Sequence, residues 1–247
     1  MNEGLSTAAQ PGKTVQSKEV HLWSILLDQP EQLSRCAALL CAEESARAER
    51  FYFVRDRQRY TIGRGMLRLI VSHYLGLPPG DLCFTYNPYG KPALAAEQNA
   101  VGLEFNLTHT GGHALCAVTY GHAVGVDLET IRSLDYLQMA EAVFSAHEQA
   151  ALQSLPPSQH AIAFFNGWTR KEAYIKAHGR GLSMPLGDFD VTLEPDAPVR
   201  LLATRPDPLV VQQWSLWGWQ ESEERMAALV VAGKNWQIVR RSVQELG

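Results

Sequence analysis

Two acids stand one residue apart in Gly125-Val126-Asp127-Leu128-Glu129. On a strand, residues two apart point to one face, about 6–7 Å from each other along the chain. Val124, Val126 and Leu128 then face the core, and Asp127 and Glu129 share the opposite side. Two such carboxylates repel unless solvated or neutralised by a cation, and hard oxygen ligands at this spacing suit Mg²⁺ with phosphate oxygens and water completing its shell. Taken alone, the pair is more often a solvated sheet edge.

Further along, Trp168, Glu172 and Lys176 recur at i, i+4 and i+8 and share one helix face. The plain reading is a helix-surface Glu–Lys pair worth a few tenths of a kcal/mol. The chemical reading makes Glu172 a third carboxylate for the metal or a general base, and Lys176 a point charge for a phosphate. Asn106-Leu107-Thr108-His109-Thr110-Gly111-Gly112 follows a strand, and its hydroxyls and glycines would let backbone and side chains approach an anion closely. His109 and His113 are i, i+4, but the glycines between them rule against a helical zinc pair. Tyr89-Gly90-Lys91-Pro92 is a rigid turn presenting one lysine. Arginine matches phosphate in bidentate geometry, which draws attention to Arg59 and Arg64 within the run Arg47, Arg50, Arg55, Arg57, Arg59, Arg64 and Arg68. Most of that run reads as a solvated face with Glu49 and Asp56 as counter-charges.

The elements that must position these residues are legible from periodicity. Strands are expected at 20–27, 101–107, 114–120, 123–129, 189–193, 214–219, 227–232 and 236–239. Helices are expected at 34–40, 43–52, 56–74, 136–143, 147–155 and 159–177, the longest ones stopping at Gly76 and at His178-Gly179. A faint repeat runs through this order. Residues 59–77 followed by PPGDLCFT match residues 164–182 followed by SMPLGDFDVT, and HLWSILLD (21–28) corresponds to HAVGVDLE (122–129). The repeat implies two similar α+β halves, 19–121 and 122–247, with a ligand crevice between them and the metal-binding acids in the second. Residues 1–18 are polar and read as a loose tail.

Bulk properties exclude several classes. The chain of 247 residues is 46% hydrophobic, 19% charged and 9% aromatic, with a formal net charge of -4 and a pI near 6.1. That balance offers no footprint for nucleic acid or an anionic membrane. A local basic cluster in an acidic chain suits a small polyanion. No apolar run reaches bilayer length, and no apolar leader is expected in the polar start. The cysteines Cys36, Cys41, Cys83 and Cys116 form no metal or disulfide spacing, Cys83 and Cys116 reading as buried thiols. The expectation is a cytoplasmic protein.

The ordered set YGKP (89–92), FNLTHT (105–110), VGVDLE (124–129), FSAHE (144–148) and WTRKEAYIKAHGRGLSMPL (168–186) resembles the Sfp-type 4′-phosphopantetheinyl transferases over residues 20–195. The last motif is the most specific. The resemblance implies a pseudo-dimer of two α+β halves in a monomeric chain. It implies transfer of the phosphopantetheine arm of coenzyme A to a serine of an apo acyl or peptidyl carrier protein, releasing 3′,5′-ADP. Carriers of fatty acid, polyketide or nonribosomal peptide synthesis would all qualify. By the same resemblance Asp127, Glu129 and Glu172 would hold Mg²⁺ against the pyrophosphate, with Asp127 itself beside coenzyme A. Glu172 would also take the serine proton as the hydroxyl attacks the β-phosphate. Lys176 and His109 would touch phosphates, Thr108 and Lys91 would lie around the nucleotide, and Arg59 and Arg64 would face the 3′-phosphate. The family commonly has Ser-His-Ser where Thr108-His109-Thr110 stands here; threonine keeps the hydroxyl. Two other readings of the same acids are a Mg²⁺-dependent phosphodiester or nucleotide hydrolase and an inactive coenzyme-A-binding module.

Overall fold

Alternating apolar residues and two long, largely buried helices build the same unit twice. The computed structural model describes residues 18–246. The expected tail lies outside them except for Lys18. The first half comprises β1 (Glu19–Leu26), α1 (Pro30–Ala37), α2 (Ala42–Ala48), α3 (Val54–Leu75), β2 (Phe84–Tyr86), β3 (Pro92–Leu94), β4 (Leu103–Thr110) and β5 (His113–Tyr120). The second comprises β6 (Val124–Thr130), α4 (Tyr136–Val143), α5 (Ala146–Ser154), α6 (His160–His178), β7 (Phe189–Val191), β8 (Leu201–Thr204), β9 (Trp214–Ser222) and β10 (Arg225–Ala232), with β11 (Gln237–Ser242) after it.

The strand orders reveal the duplication. β1 pairs antiparallel with β5, which pairs with β4; β6 pairs antiparallel with β10, which pairs with β9. Each half also carries a two-stranded ribbon, β2–β3 or β7–β8, after its long helix. α3 and α6 both end on a left-handed glycine, Gly76 and Gly179. The last strand breaks the symmetry: β11 lies parallel to β1, so the end of the chain returns to the first sheet. Strands β1–β5 thus lie in the first sheet and its ribbon, β6–β10 in the second sheet and its ribbon, and β11 alone crosses back.

Period-2 alternation decides what each face meets. In β1, Trp23 and Ile25 pack on α3 with Ile62, Leu67 and Ile70. Val20 and Leu22 turn the other way and join Leu115, Val124, Val126, Leu128 and Leu229 in a core shared by both sheets. Helix α6 covers the outer face of the second sheet, Ala173, Tyr174 and Ala177 packing on Ala228 and Val230. Two sheets thus meet at the centre with a helix on either outside. At their junction β4 and β6 are tied by side chains: Val126 N donates to Asn106 Oδ1 at 2.8 Å, and the Thr110 and Thr130 hydroxyls meet at 3.0 Å.

Two expectations about particular residues need correction. Cys83 is exposed, because it precedes the short β2 ribbon instead of entering the core; Cys116 is buried as expected. Thr108, His109 and Thr110 belong to β4 itself, which runs on to Thr110 because each pairs with β5. Among the described residues no helix is long and apolar enough to cross a membrane.

Candidate functional site

Four side chains gather where β6 lies under α6 and beside β4. Close approach of the elements begins at Gly125, where a Cβ would sit 2.1 Å from Ala173 O and 2.3 Å from Ala177 N. That lets α6 lie directly on β6. Asp127, two residues on, points at the helix and is only 2% exposed. Its Oδ1 accepts from Lys176 Nζ at 2.5 Å and from Thr108 Oγ1 at 3.3 Å, and Lys176 also reaches Thr108 Oγ1 at 3.2 Å. Its Oδ2 is buried with no partner. A buried carboxylate oxygen left bare costs several kcal/mol unless something else neutralises it.

Glu129 and Glu172 share this space. Trp168 Nε1 donates to Glu129 Oε1 at 3.2 Å, so the helical face expected from Trp168, Glu172 and Lys176 does meet the strand acids. Burial, then the charge of Asp127, hold the Glu129 carboxyl above the usual carboxylate range despite the Trp168 bond. Burial likewise raises Glu172; Lys176 opposes the shift, while Asp127 and Glu129 add to it. Both raised carboxyls report the same deficiency: anionic oxygens crowd here with one ammonium among them. A divalent cation would relieve it, and the bare Asp127 Oδ2 offers it a first ligand. Among the described residues no three His, Cys, Asp or Glu side chains form by themselves a group that could hold a metal ion, Lys176 being the present partner of Asp127. Such an arrangement fits Mg²⁺, which needs few protein carboxylates when phosphate and water supply the rest.

Of the three acids, Glu172 opens onto a groove. A cavity of about 270 Å³ is lined by Glu172 and Lys176 on one side and by Tyr89, Gly90, Lys91 and Asn106 on the other. It adjoins, at Gly90, Pro92 and Leu107, a larger cavity of about 600 Å³ holding Arg47, Arg59, Tyr60, Arg64 and His109. A further open cleft along α2 shares Arg47, Phe51, Tyr60 and Tyr86 with it. Volumes of this size suit an extended nucleotide-like molecule.

The basic residues differ in how free they are. Arg59 is held bidentately by Asp28, at 2.7 and 2.6 Å, which fixes its guanidinium at the cavity wall. Arg64 lines the cavity too, but its guanidinium donates to Glu44 and, at 2.6 Å, to Tyr86 OH, and stacks on Phe84. Glu44 also takes Arg68 at 2.7 Å, so two arginines of the run are buried on one acid. On the solvated face Arg57 pairs with Glu49 at 2.8 Å and Arg55 with Asp56 at 3.7 Å, the counter-charges the sequence suggested. Burial, with Lys176 and Arg59 nearby, lowers His109, favouring the neutral imidazole. Lys91 lines the smaller cavity but its ammonium is held: Nζ donates to Val124 O at 3.0 Å and Ala177 O at 3.4 Å, and burial lowers its pKa.

Sequence reasoning did not single out Arg47, Phe51, Tyr60 and Tyr86 as cavity walls. The arginine run marked Arg47, but which helix face looks inward depends on how α2 docks on α3. Nor did it find Glu148. That residue of the FSAHE motif is wholly buried and binds Lys171 Nζ at 2.7 Å.

Comparison with known proteins places both halves of the chain beside one family. A family model described as the 4′-phosphopantetheinyl transferase superfamily matches residues 123–231, and one described as 4′-phosphopantetheinyl transferase, N-terminal, matches residues 27–120. The chain is 44% identical over 229 residues to the 4′-phosphopantetheinyl transferase HetI of Nostoc sp., covering 92% of this chain and 93% of that protein. It is 35% identical over 187 residues to the 4′-phosphopantetheinyl transferase psf-1 of Bacillus pumilus, with 75% and 78% covered. A 4′-phosphopantetheinyl transferase of Bacillus subtilis is 32% identical over 183 residues, with 73% and 80% covered. This chain belongs to the 4′-phosphopantetheinyl transferase superfamily.

Proposed function

We propose that the Asp127–Glu129–Glu172–Lys176 centre moves the phosphopantetheine arm of coenzyme A onto a carrier-protein serine, with Mg²⁺ held by the three carboxylates. The observation that carries this reading is the buried, partnerless Asp127 Oδ2 beside two carboxyls raised by burial and mutual repulsion, next to a groove whose walls include Arg47, Arg59 and Arg64. Mg²⁺ bound by Asp127, Glu129 and Glu172 would supply charge neutralisation of the pyrophosphate.

The remaining work falls to side chains. Glu172 accepts the proton of the serine hydroxyl as its oxygen attacks the β-phosphate; a carboxylate made more basic by burial is better matched to that task near neutral pH. The serine O–P bond forms as the bond to the leaving ADP oxygen breaks, giving the phosphodiester on the carrier and 3′,5′-ADP. Lys176 follows the charge, exchanging Asp127 for a phosphate oxygen, and Thr108 steadies it through the bond already present. Arg59, fixed by Asp28, and Arg47 give the larger cavity its positive wall for the nucleotide end, with Arg64 behind them and neutral His109 as an N–H donor. Catalysis in this scheme is chiefly alignment and charge stabilisation. The two similar halves in one chain support a monomer.

The test is intact-mass spectrometry of an apo carrier incubated with the protein, coenzyme A and Mg²⁺. A gain of about 340 Da, dependent on Mg²⁺, is expected, because one phosphopantetheine arm is added in a metal-assisted transfer. Coenzyme A consumed with no carrier modified would turn the assignment to a hydrolase. Coenzyme A bound but unconsumed, across fatty-acid, polyketide and peptidyl carriers, would leave a binding module.

A further inference from the structure

We propose that the 87–91 turn is a clasp on the end of α6, and that Asn87 and Lys91 are positioning residues for Glu172 and Lys176. The inference rests on the roles given to those two residues above. It starts from a hydrogen-bonding problem. The last carbonyls of a helix have no partner within it. In α6, Gly179 N serves Ile175 O and Lys176 O, whereas Ala177 O and the carbonyl of the capping Gly179 find donors in the other half of the molecule: Asn87 Nδ2 donates to Gly179 O at 2.6 Å, and Lys91 Nζ to Ala177 O at 3.4 Å. The same ammonium donates to Val124 O at 3.0 Å, next to the strand segment that carries Asp127. One side chain thus joins α6, β6 and the first half, and its positive charge stands at the negative end of the helix.

The clasp is rigid in itself. Asn87 Oδ1 accepts from Tyr89 N and Lys91 N, both at 2.9 Å, which fixes the amide so that Nδ2 faces Gly179. Asn87 N donates to Lys91 O at 3.1 Å and Gly90 N to Asn87 O at 2.9 Å, closing the turn. Contact with the helix end is tight. A Cβ at Gly179 would lie 3.1 Å from Asn87 Nδ2, one at Gly181 would lie 3.4 Å from Tyr89 Cβ, and both glycines have φ in the left-handed region, +69° and +54°.

Position converts this contact into function. The turn forms one wall of the 270 Å³ cavity, and Glu172 and Lys176 form the other. Glu172 lies about 10 Å along the helix from the clasped end at 1.5 Å per residue, and Lys176 one turn from it. Earlier turns of α6 are anchored by Lys171 on Glu148, by Arg170 Nη1 on Thr192 O at 2.6 Å and by Asn166 Nδ2 on Leu193 O at 3.1 Å. Releasing the clasped end loosens the final turn of the helix, which carries Lys176 and follows Glu172, against β6. Because Lys91 Nζ is spent on carbonyls, its loss acts through geometry more than through lost contact with the nucleotide.

The experiment compares Asn87→Ala, Lys91→Met and Lys91→Arg with the unaltered protein in two readouts. Hydrogen exchange of the amides at 175–179 is expected to accelerate about tenfold or more in Asn87→Ala and Lys91→Met, with α3 unchanged and Lys91→Arg largely restored. In carrier modification, kcat should fall about tenfold while the KM for coenzyme A moves much less, since small misplacements of reacting groups cost rate. Unaltered exchange at 175–179 in both variants would overturn the clasp. A raised KM at constant kcat would overturn it in favour of Lys91 as a direct nucleotide contact. Exchange needs no turnover, so it stands apart from the Glu172 assignment: faster exchange with full activity would refute the positioning claim, whereas an active Glu172→Gln would refute the assignment on which it rests.

Discussion

Replacing Lys171 by methionine should unfold this protein far more readily than its place beside the site suggests. Lys171 precedes Glu172 on α6 yet points the opposite way, into the core, where neither it nor Glu148 is exposed. Its ammonium donates to Glu148 Oε2 and to Phe189 O, both at 2.7 Å, and lies 4.2 Å from the centre of the Phe189 ring. Glu148 is further bound by Ser145 N and Val191 N, each at 2.8 Å, so the pair joins α5, α6 and β7. Methionine fills the volume but leaves the carboxylate buried with two backbone donors and no counter-charge. Breaking such a pair from one side costs about 3–5 kcal/mol. At roughly 2–4 °C per kcal/mol for a chain of this size, Tm should fall by about 6–20 °C. Urea unfolding followed by tryptophan fluorescence should show a lowered midpoint with the slope unchanged. Adding Glu148→Gln should recover a large part of the loss, because the glutamine oxygen still accepts from a backbone N–H and no bare charge remains. A single variant within about 2 °C of the unaltered protein, or a double variant no better than the single, would refute the reasoning.

Other expectations follow from neighbouring features. Gly125→Ala places a methyl 2.1 Å from Ala173 O, which backbone cannot yield cheaply; a loss of about 1–3 kcal/mol or more and a collapse of activity are expected in parallel thermal and transfer assays. Burial pushes the Glu44 carboxyl up, but the bonds from Arg68 and Arg64 outweigh it and leave its pKa below the ordinary value. Glu44 therefore stabilises the fold fully above the ordinary glutamate pKa, and that part is lost as pH falls through the depressed folded value. Glu44→Gln should be less stable at pH 7 and show a shallower acid limb in a pH–stability curve; an unchanged limb would exclude Glu44 as its source. Asp127→Asn keeps the shape but removes the charge facing Lys176, and should lower transfer about 100-fold while raising the Mg²⁺ concentration needed, in a metal titration of rate.

Much of this architecture was legible before any coordinates. The long helices, expected at 56–74 and 159–177, are Val54–Leu75 and His160–His178, because periodicity and glycine stops are local signals. The faint repeat corresponds to the matching orders β1-β5-β4 and β6-β10-β9, with β11 added to the first sheet alone. What escaped were the non-local matches. QIVRRS carries too little apolar pattern to announce that β11 pairs with β1 across almost the whole chain. Glu44 with Arg64 and Arg68, and Glu148 with Lys171, are buried ion pairs; the sequence offered Arg64 as a phosphate ligand and gave no signal that its partner is an acid of the chain. At the site, the face shared by Trp168, Glu172 and Lys176 followed from helix geometry, and Asp127 from strand alternation. That Lys91 reaches helix carbonyls did not follow, because its partners come from the other half.

The most direct test of the central claim sets Glu172→Gln beside the unaltered protein in one intact-mass assay of an apo carrier with coenzyme A and saturating Mg²⁺. The substitution keeps size and hydrogen-bonding capacity while removing the proton acceptor and one anionic ligand. The carrier should gain about 340 Da with the unaltered protein, and modification should slow at least 100-fold with the variant, as loss of a general base implies. Equal rates of modification would contradict the assignment of Glu172 and, with it, the centre built around Asp127.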